Sequence, residues 1–98
     1  MILIDVGNTN IVFAVSANNL LKKVKRIKTN EDKKKLIIQI NKIIVDYTFT
    51  NGLDNCKVAI ISSVVPNLNL LIKNVLKKNS IKGFVIRSTD ILPFLKIR

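Results

Sequence analysis

The sequence predicts an α/β domain in which a five-stranded mixed sheet packs against two helices. Residues 1–29 contain three apolar runs separated by short polar turns, which is typical of antiparallel strands. Two later segments repeat apolar residues with the 3.6-residue period of an amphipathic helix, and each precedes a short strand-like run. With 98 residues, of which 48% are hydrophobic, the chain is sized for one small domain, 1–98, with a buried core.

The first part of the chain predicts a meander of three strands. Met1 to Val6 is almost entirely apolar, which predicts a strand buried on both faces. Ile11 to Ala17 predicts the second strand, and Leu20 to Thr29 predicts an outer third strand. Asn18 and Asn19 predict a tight turn between them, because Asn tolerates a positive φ.

The next segment predicts a helix over residues 31–47. Thr29 or Asn30 is expected to cap this helix, since short polar side chains accept hydrogen bonds from its first N–H groups. Glu31 and Asp32 would then lie in its first turn, where the helix dipole favours acids. The predicted buried stripe consists of Leu36, Ile37, Ile40, Ile43, Ile44 and Tyr47.

The remainder of the chain predicts two crossover units, after a turn at residues 50–55. Lys57 to Val65 predicts a buried fourth strand, and Pro66 suits the first turn of a helix over residues 66–78. Gly83 to Ser88 predicts a fifth strand. The apolar stripe of the second helix consists of Leu68, Leu71, Ile72, Val75 and Leu76. Right-handed crossovers predict the strand order 3-2-1-4-5, with the first strand central.

The segment IDVGNTNIVFAV places Asp5 at the end of a buried strand. A buried carboxylate is costly unless it meets water, a metal ion or backbone donors. Gly7 allows a tight turn and a close approach of the backbone to a ligand. Asn8, Thr9 and Asn10 offer donors for phosphate oxygens, while the carboxylate suits hydrated Mg²⁺. The residues alone leave two interpretations open, a phosphate-binding hairpin and an ordinary turn made of common turn formers.

A second polar segment, ISSVVP, follows the fourth predicted strand. Ser62 and Ser63 lie at the carboxyl end of a parallel strand, where α/β sheets bind ligands. The helix that starts at Pro66 could present free N–H groups to an anion. The alternative is that both serines are caps of the helix start. The chain contains no His, and no Lys stands at a recognisable spacing, so a serine nucleophile is excluded.

Composition excludes several other functions. The net charge of +11 comes mainly from Lys distributed along the whole chain rather than from Arg interleaved with aromatic residues, so we do not expect nucleic-acid binding. No apolar stretch reaches the roughly 18 residues of a membrane span, and the start lacks a signal-peptide pattern. The single Cys56 is consistent with a reducing cytoplasm. A P-loop is excluded because no G-x-x-x-x-G-K-[ST] sequence occurs.

Three segments in matching order resemble the type III pantothenate kinase family. They are IDVGNTNIVFAV, RIKT at Arg26 to Thr29, and ISSVVP at Ile61 to Pro66. The resemblance covers essentially the whole chain, although DxGNTN alone is also shared loosely with actin-like ATPases and sugar kinases. It implies an actin-like ATPase (ribonuclease H-like) fold and ATP-dependent phosphorylation of pantothenate, the first step of coenzyme A biosynthesis. It also implies Mg²⁺ with ATP, a monovalent cation (K⁺ or NH₄⁺) and a homodimer.

The resemblance also implies residue roles. Asp5 matches the acid that binds metal and phosphate in the family. The implied ATP-binding segment consists of Asp5, Val6, Gly7, Asn8, Thr9, Asn10, Ile11 and Val12. Family members have a second domain of this fold, and the presumed catalytic aspartate of their Gly-x-Asp-Arg motif is expected beyond Arg98.

We therefore expect an N-terminal half of a kinase that is inactive alone and contains no catalytic residue. The second phosphate motif and the adenosine motif of the family are also not found in the chain. The alternatives are a non-catalytic binding or transcriptional accessory module of the same family, and a folded gene remnant.

Overall fold

The structure is a computed structural model that describes residues 1–18, 20–49 and 57–86. The predicted turn at residues 50–55 and the chain from residue 87 onward lie outside the described residues, as does Asn19. The predicted turn before the third strand is confirmed at Asn18, which has a φ of 52°.

The elements follow the predicted order. They are β1 (Ile2–Val6), β2 (Asn10–Ala17), β3 (Leu20–Lys28), α1 (Lys33–Phe49), β4 (Val58–Ser63), a 3₁₀ turn (Pro66–Leu68), α2 (Asn69–Lys78) and β5 (Lys82–Ile86). The sheet has the predicted order β3-β2-β1-β4-β5. The β1–β2 and β2–β3 pairs are antiparallel, while β4 is parallel to both β1 and β5. The mixed α/β sheet and the central position of β1 are therefore confirmed.

The central strand β1 is buried along its whole length, as predicted. Its side chains alternate, so Ile2, Ile4 and Val6 belong to the main hydrophobic core, whereas Leu3 belongs to a smaller cluster. The main core also contains the buried residues of both helices, which places the helices on that face of the sheet. Asp5 has the same parity as Leu3 and therefore lies on the opposite face.

The first helix confirms most of its predicted stripe. Its buried residues are Leu36, Ile40, Ile43, Ile44 and Tyr47. The prediction was wrong for Ile37, which is 38% exposed. Consecutive helical residues are rotated by about 100°, so Ile37 lies at the margin of the stripe that Leu36 begins. In α2, Leu71 is partly buried and packs against the core, as predicted for the second stripe.

The predicted start of α1 was wrong. The helix begins at Lys33, so neither Thr29 nor Asn30 caps it, and its first turn contains no acid. Thr29 instead donates its hydroxyl to the carbonyl oxygen of Gly7, 22 residues earlier in the chain. A tertiary hydrogen bond thus replaced the local cap that the sequence favoured.

The second helix also starts differently from the prediction. Pro66 begins a 3₁₀ turn, and the α-helix follows only at Asn69. After α2, the chain enters β5, where Gly83 faces the side chains of Leu76 and Ile61. A Cβ atom at Gly83 would approach the Leu76 Cδ1 atom to 2.8 Å, so the close packing of α2 on β5 requires the glycine.

Candidate functional site

Four side chains form a row across four neighbouring strands. Asp5 of β1 is opposite Val12 of β2 on one side and Ser62 of β4 on the other. Val12 is in turn opposite Arg26 of β3. Residues opposite each other in a sheet project from the same face. The cross-strand row Ser62, Asp5, Val12 and Arg26 therefore lies on the face of the sheet away from the two helices.

The turn between β1 and β2 is held by three hydrogen bonds. The Gly7 N–H donates to the Asn10 carbonyl at 2.9 Å, which closes the turn. The Thr29 N–H donates to the Thr9 carbonyl at 2.9 Å, and the Thr29 hydroxyl donates to the Gly7 carbonyl at 2.7 Å. A Cβ atom at Gly7 would lie 3.1 Å from the Asn10 carbonyl oxygen. The turn is thus fixed from β3 and leaves little room for a side chain at Gly7.

A pocket of about 280 Å³ lies where this turn meets the cross-strand row. Its lining residues are Asp5, Gly7, Asn8, Thr9, Asn10, Val12 and Arg26. Most of the predicted ATP-binding segment therefore contributes to one cavity. Val6 and Ile11 do not, because both side chains are fully buried in the main core on the other face of the sheet.

Asp5 and Ser62 are the buried polar residues of the row. Asp5 is 3% exposed and lines the pocket, while Ser62 is inaccessible to solvent. The Ser62 Oγ atom has no hydrogen-bond partner in the part of the chain that the structure describes. Among the residues that line the pocket, Asp5 carries a carboxylate, Asn8 and Asn10 carry amides, and Thr9 carries a hydroxyl group. Mg²⁺ prefers oxygen ligands of this kind. The residues around Asp5 therefore fit a hydrated magnesium ion.

Sequence reasoning did not assign Arg26 to the site. The residue was recognised only as part of the RIKT segment, yet it lines the pocket, where it is the one basic side chain among the described lining residues. The turn between β2 and β3 pairs Ala17 with Leu20, and this register alone would place Lys25 opposite Val12. The register shift between Phe13 and Val15 brings Arg26 there instead, so no local sequence signal assigned it. An arginine presents planar donors that match phosphate oxygens.

The two serines of ISSVVP differ in their surroundings. The Ser63 Oγ atom accepts a hydrogen bond from the Val65 N–H at 3.1 Å, and the Val64 N–H donates to the Val6 carbonyl at 3.0 Å. Ser63 thus stabilises the connection between β4 and the 3₁₀ turn. The capping interpretation was wrong in its detail, because this N–H precedes the turn and no side chain caps the start of the 3₁₀ turn or of α2. Ser62 makes no such bond within the described residues.

The other described acids do not form a second site. Glu31 lies 3.5 Å from the Lys35 ammonium group, and Asp46 lies 3.9 Å from that of Lys23. Within residues 1–18, 20–49 and 57–86, no three His, Cys, Asp or Glu side chains converge as metal ligands do. No helix in these ranges is long and apolar enough to cross a membrane.

The mixed sheet, its strand order and the hairpin at Asp5 define an actin-like ATPase domain. A family model described as type III pantothenate kinase matches residues 1–98. The chain therefore belongs to the type III pantothenate kinase family, which indicates a kinase, a transferase that acts on pantothenate in coenzyme A biosynthesis. A comparison with curated proteins found no match.

Proposed function

We propose that the pocket beside Asp5 binds the phosphates of Mg²⁺–ATP for the phosphorylation of pantothenate. The observation that carries this proposal is the meeting of a buried carboxylate and the turn Gly7–Asn10 in one cavity. A carboxylate that lines the cavity beside this turn is suited to a hydrated magnesium ion.

The donor set suggests a division of roles. Asp5 would hold the hydrated magnesium, which neutralises phosphate charge when bound. Asn8 and Thr9, both exposed at the tip of the turn, would donate to phosphate oxygens. The volume of about 280 Å³ is at the lower limit of small-molecule sites, which span roughly 300–1,000 Å³. We therefore infer that the pocket receives the phosphate end of a nucleotide rather than the whole molecule.

The described residues do not supply a catalytic base in this proposal. Phosphoryl transfer needs a base within hydrogen-bond reach of the attacking hydroxyl. Asp5 is the one acid among the described residues that line the pocket, and we assign it to the metal. We infer that residues 1–98 alone do not phosphorylate pantothenate, and that the aspartate of the family's Gly-x-Asp-Arg motif is required.

Other features of the proposal rest on family membership alone. They are a monovalent cation, K⁺ or NH₄⁺, as a second cofactor, pantothenate as the phosphate acceptor, and a homodimer as the assembly. A cytoplasmic location agrees with the single cysteine of the chain.

Calorimetric titration with ATP in the presence of Mg²⁺ tests the site. We expect weak binding to the chain, loss of this binding in Asp5→Asn, and no loss in the control Asp32→Asn, whose side chain is exposed outside the pocket. Chelation of the metal should reduce parent binding to the level of Asp5→Asn. Equal affinity in the parent and Asp5→Asn, or no binding by the parent, would contradict the proposal.

A further inference from the structure

A groove of about 650 Å³ lies between α1 and α2, on the face of the sheet opposite Asp5. Its apolar lining consists of Ile37 from α1 and of Leu70, Leu71 and Val75 from α2. Val75 is buried, whereas Leu70 is 69% exposed and Ile37 is 38% exposed. The groove therefore presents apolar side chains that folding of the described residues has not covered.

The two helices that form this groove are fixed against each other. Ile40 of α1 and Ile72 of α2 are fully buried in the same main core. The Asn79 side-chain amide, just after α2, donates to the Asn41 side-chain oxygen of α1 at 3.0 Å and to the Val75 carbonyl at 2.9 Å. A groove between two packed helices is a shape that a third helix can fill, because the side chains of one helix pack between those of its neighbours.

The rim of the groove is positively charged. Lys33 of α1 and Lys77 and Lys78 of α2 line it, and no acid does. None of these three lysines forms an ion pair within the part of the chain that the structure describes. An apolar groove with a basic rim is complementary to a helix whose apolar face is flanked by Asp and Glu.

The same charges argue against two other occupants. A second copy of the chain, bound through this surface on both protomers, would bring the two lysine-lined rims together. The net charge of +11 would add to that repulsion. An anionic membrane would attract exposed lysines on any face of the protein, and it has no need of a concave site between two helices.

We propose that this groove binds an acidic amphipathic helix of a partner protein. The partner's apolar face would cover Leu70 and Ile37, and its acids would pair with the lysines of the rim. The lining from Leu70 to Lys78 extends about 12 Å along α2, at about 1.5 Å per residue, which is room for roughly two turns of a bound helix. This interaction goes beyond the proposed function, since the groove and the pocket beside Asp5 lie on different faces of the sheet.

The experiment uses a synthetic acidic peptide of about four helical turns, with Leu at the positions of one helical face and Glu elsewhere. Its binding is measured by fluorescence anisotropy at low and at high salt. A peptide of the same composition in which Leu and Glu alternate is the control, because it has no apolar helical face. We expect the chain to bind the first peptide and not the second, and to bind it less tightly at high salt.

Two pairs of variants locate the binding. Leu70→Asn should weaken it by about tenfold or more, while Ile38→Asn, at an exposed position of α1 outside the groove, should not. Lys33→Gln should weaken it by about two- to fivefold at low salt, while its neighbour Lys34→Gln, also exposed but outside the groove, should match the parent. Because Leu70 is mostly exposed, Leu70→Asn should keep the thermal midpoint of the parent.

Several outcomes would overturn the proposal. One is no binding of the acidic peptide, and another is equal binding of the alternating peptide. Equal losses for Lys33→Gln and Lys34→Gln, together with binding to phosphatidylserine vesicles that survives Leu70→Asn, would assign the lysines to a membrane surface. Self-association in sedimentation that Leu70→Asn abolishes would make the groove an interface between copies of the chain. Binding of ATP should be the same in the parent and Leu70→Asn, so a failure of the proposed nucleotide site would leave this test unaffected.

Discussion

Thr29 donates its hydroxyl to the carbonyl oxygen of Gly7 at 2.7 Å, which ties the end of β3 to the turn beside the pocket. The Thr29 N–H strengthens this link by donating to Thr9 at 2.9 Å. Thr29 itself is 8% exposed, so its hydrogen bonds are shielded from water. The shape of the pocket-lining turn therefore depends on a residue that does not line the pocket.

Replacing Thr29 by Val should loosen this turn. Thr29→Val keeps the shape of the side chain but removes the hydroxyl, and the loss of one hydrogen bond costs about 1 kcal/mol of folding stability. We expect a lower free energy of unfolding in urea and weaker binding of Mg²⁺–ATP. Thr29→Ser retains the hydroxyl and is the control, with tighter binding than Thr29→Val. Identical affinities of Thr29→Val and the parent would show that the turn holds its shape without this bond.

Arg26 should contribute to the affinity for phosphates if these occupy the pocket that it lines. Hydrogen bonds to charged groups contribute about 1.5–3 kcal/mol, so Arg26→Gln is expected to weaken ATP binding by roughly tenfold or more. The control is Lys25→Gln, because Lys25 is exposed on the same strand opposite Phe13, outside this pocket. Calorimetry with ATP and with adenosine checks the assignment, since only ATP should distinguish the two variants. Equal losses for both would indicate a non-specific effect of charge.

Gly83→Ala should destabilise the domain through overpacking. The added Cβ atom would lie 2.8 Å from Leu76 Cδ1 and 3.2 Å from Ile61 Cδ1, and both of these side chains are fully buried. Overpacking a core costs about 1–3 kcal/mol, which thermal unfolding would detect as a lower midpoint. In the background of Leu76→Ala the same change should cost much less, because the close contact is removed. A cost that is unchanged in that background would contradict the packing explanation.

Tyr47 makes the stability of the chain sensitive to alkaline pH. Its hydroxyl donates to the Lys23 carbonyl, at a bulge of β3 where Lys23 has a φ of 53°. Burial, together with the charge of Asp46, raises the pKa of Tyr47 above its ordinary value of 10.0. The folded state then holds the proton more tightly than the unfolded state. The contribution of Tyr47 is therefore complete below pH 10 and decreases as the pH rises above it.

Tyr47→Phe isolates this contribution from the titration of the lysines. At neutral pH the variant should be less stable by about 1 kcal/mol, because the Lys23 carbonyl loses its donor. Urea unfolding between pH 9 and pH 11 should then show a steeper loss of stability in the parent than in the variant, by at most about 1.4 kcal/mol per pH unit. Parallel curves for the two proteins would mean that Tyr47 ionises equally well in both states.

The fold was predictable because its signals are local and periodic. The unbroken apolar run of β1 and the stripe from Leu36 to Tyr47 each indicate their element within one segment. The error at the start of α1 occurs where a distant contact decided the structure. The Thr29 hydroxyl binds Gly7 rather than a helix start, and no pattern around residue 29 contains that information.

Of the candidate site, the sequence indicated the contiguous turn but not the residues that other strands contribute. Its turn is contiguous in sequence, so the segment from Asp5 to Asn10 could be recognised as one unit. Arg26 and Ser62 join Asp5 only through the register of the sheet. Their place in the row required three strand pairings to be known at once, which periodicity does not provide. The difference between Ser62 and Ser63 also depends on which side of β4 each hydroxyl faces.

Catalysis by residues 1–98 alone should be undetectable. One positioned base contributes about 10²–10⁴-fold to a rate, and the acids that the structure describes outside the pocket are engaged or placed elsewhere. Glu31 pairs with Lys35, Asp46 borders the Lys23 bulge, and Asp32 precedes α1. A coupled assay of ADP release with saturating pantothenate, Mg²⁺–ATP and K⁺ measures the rate.

We expect no pantothenate-dependent release of ADP from the 98-residue chain. Addition of a separately produced domain that contains the Gly-x-Asp-Arg motif of the family should restore it, provided that Asp5 is intact. Asp5→Asn in the same mixture is the control, because it removes the proposed metal ligand and leaves the added base in place. Turnover by the chain alone that requires pantothenate and survives repurification would contradict the prediction. The base would then have to come from within these 98 residues, and the assignment of Asp5 to the metal would have to be reconsidered first.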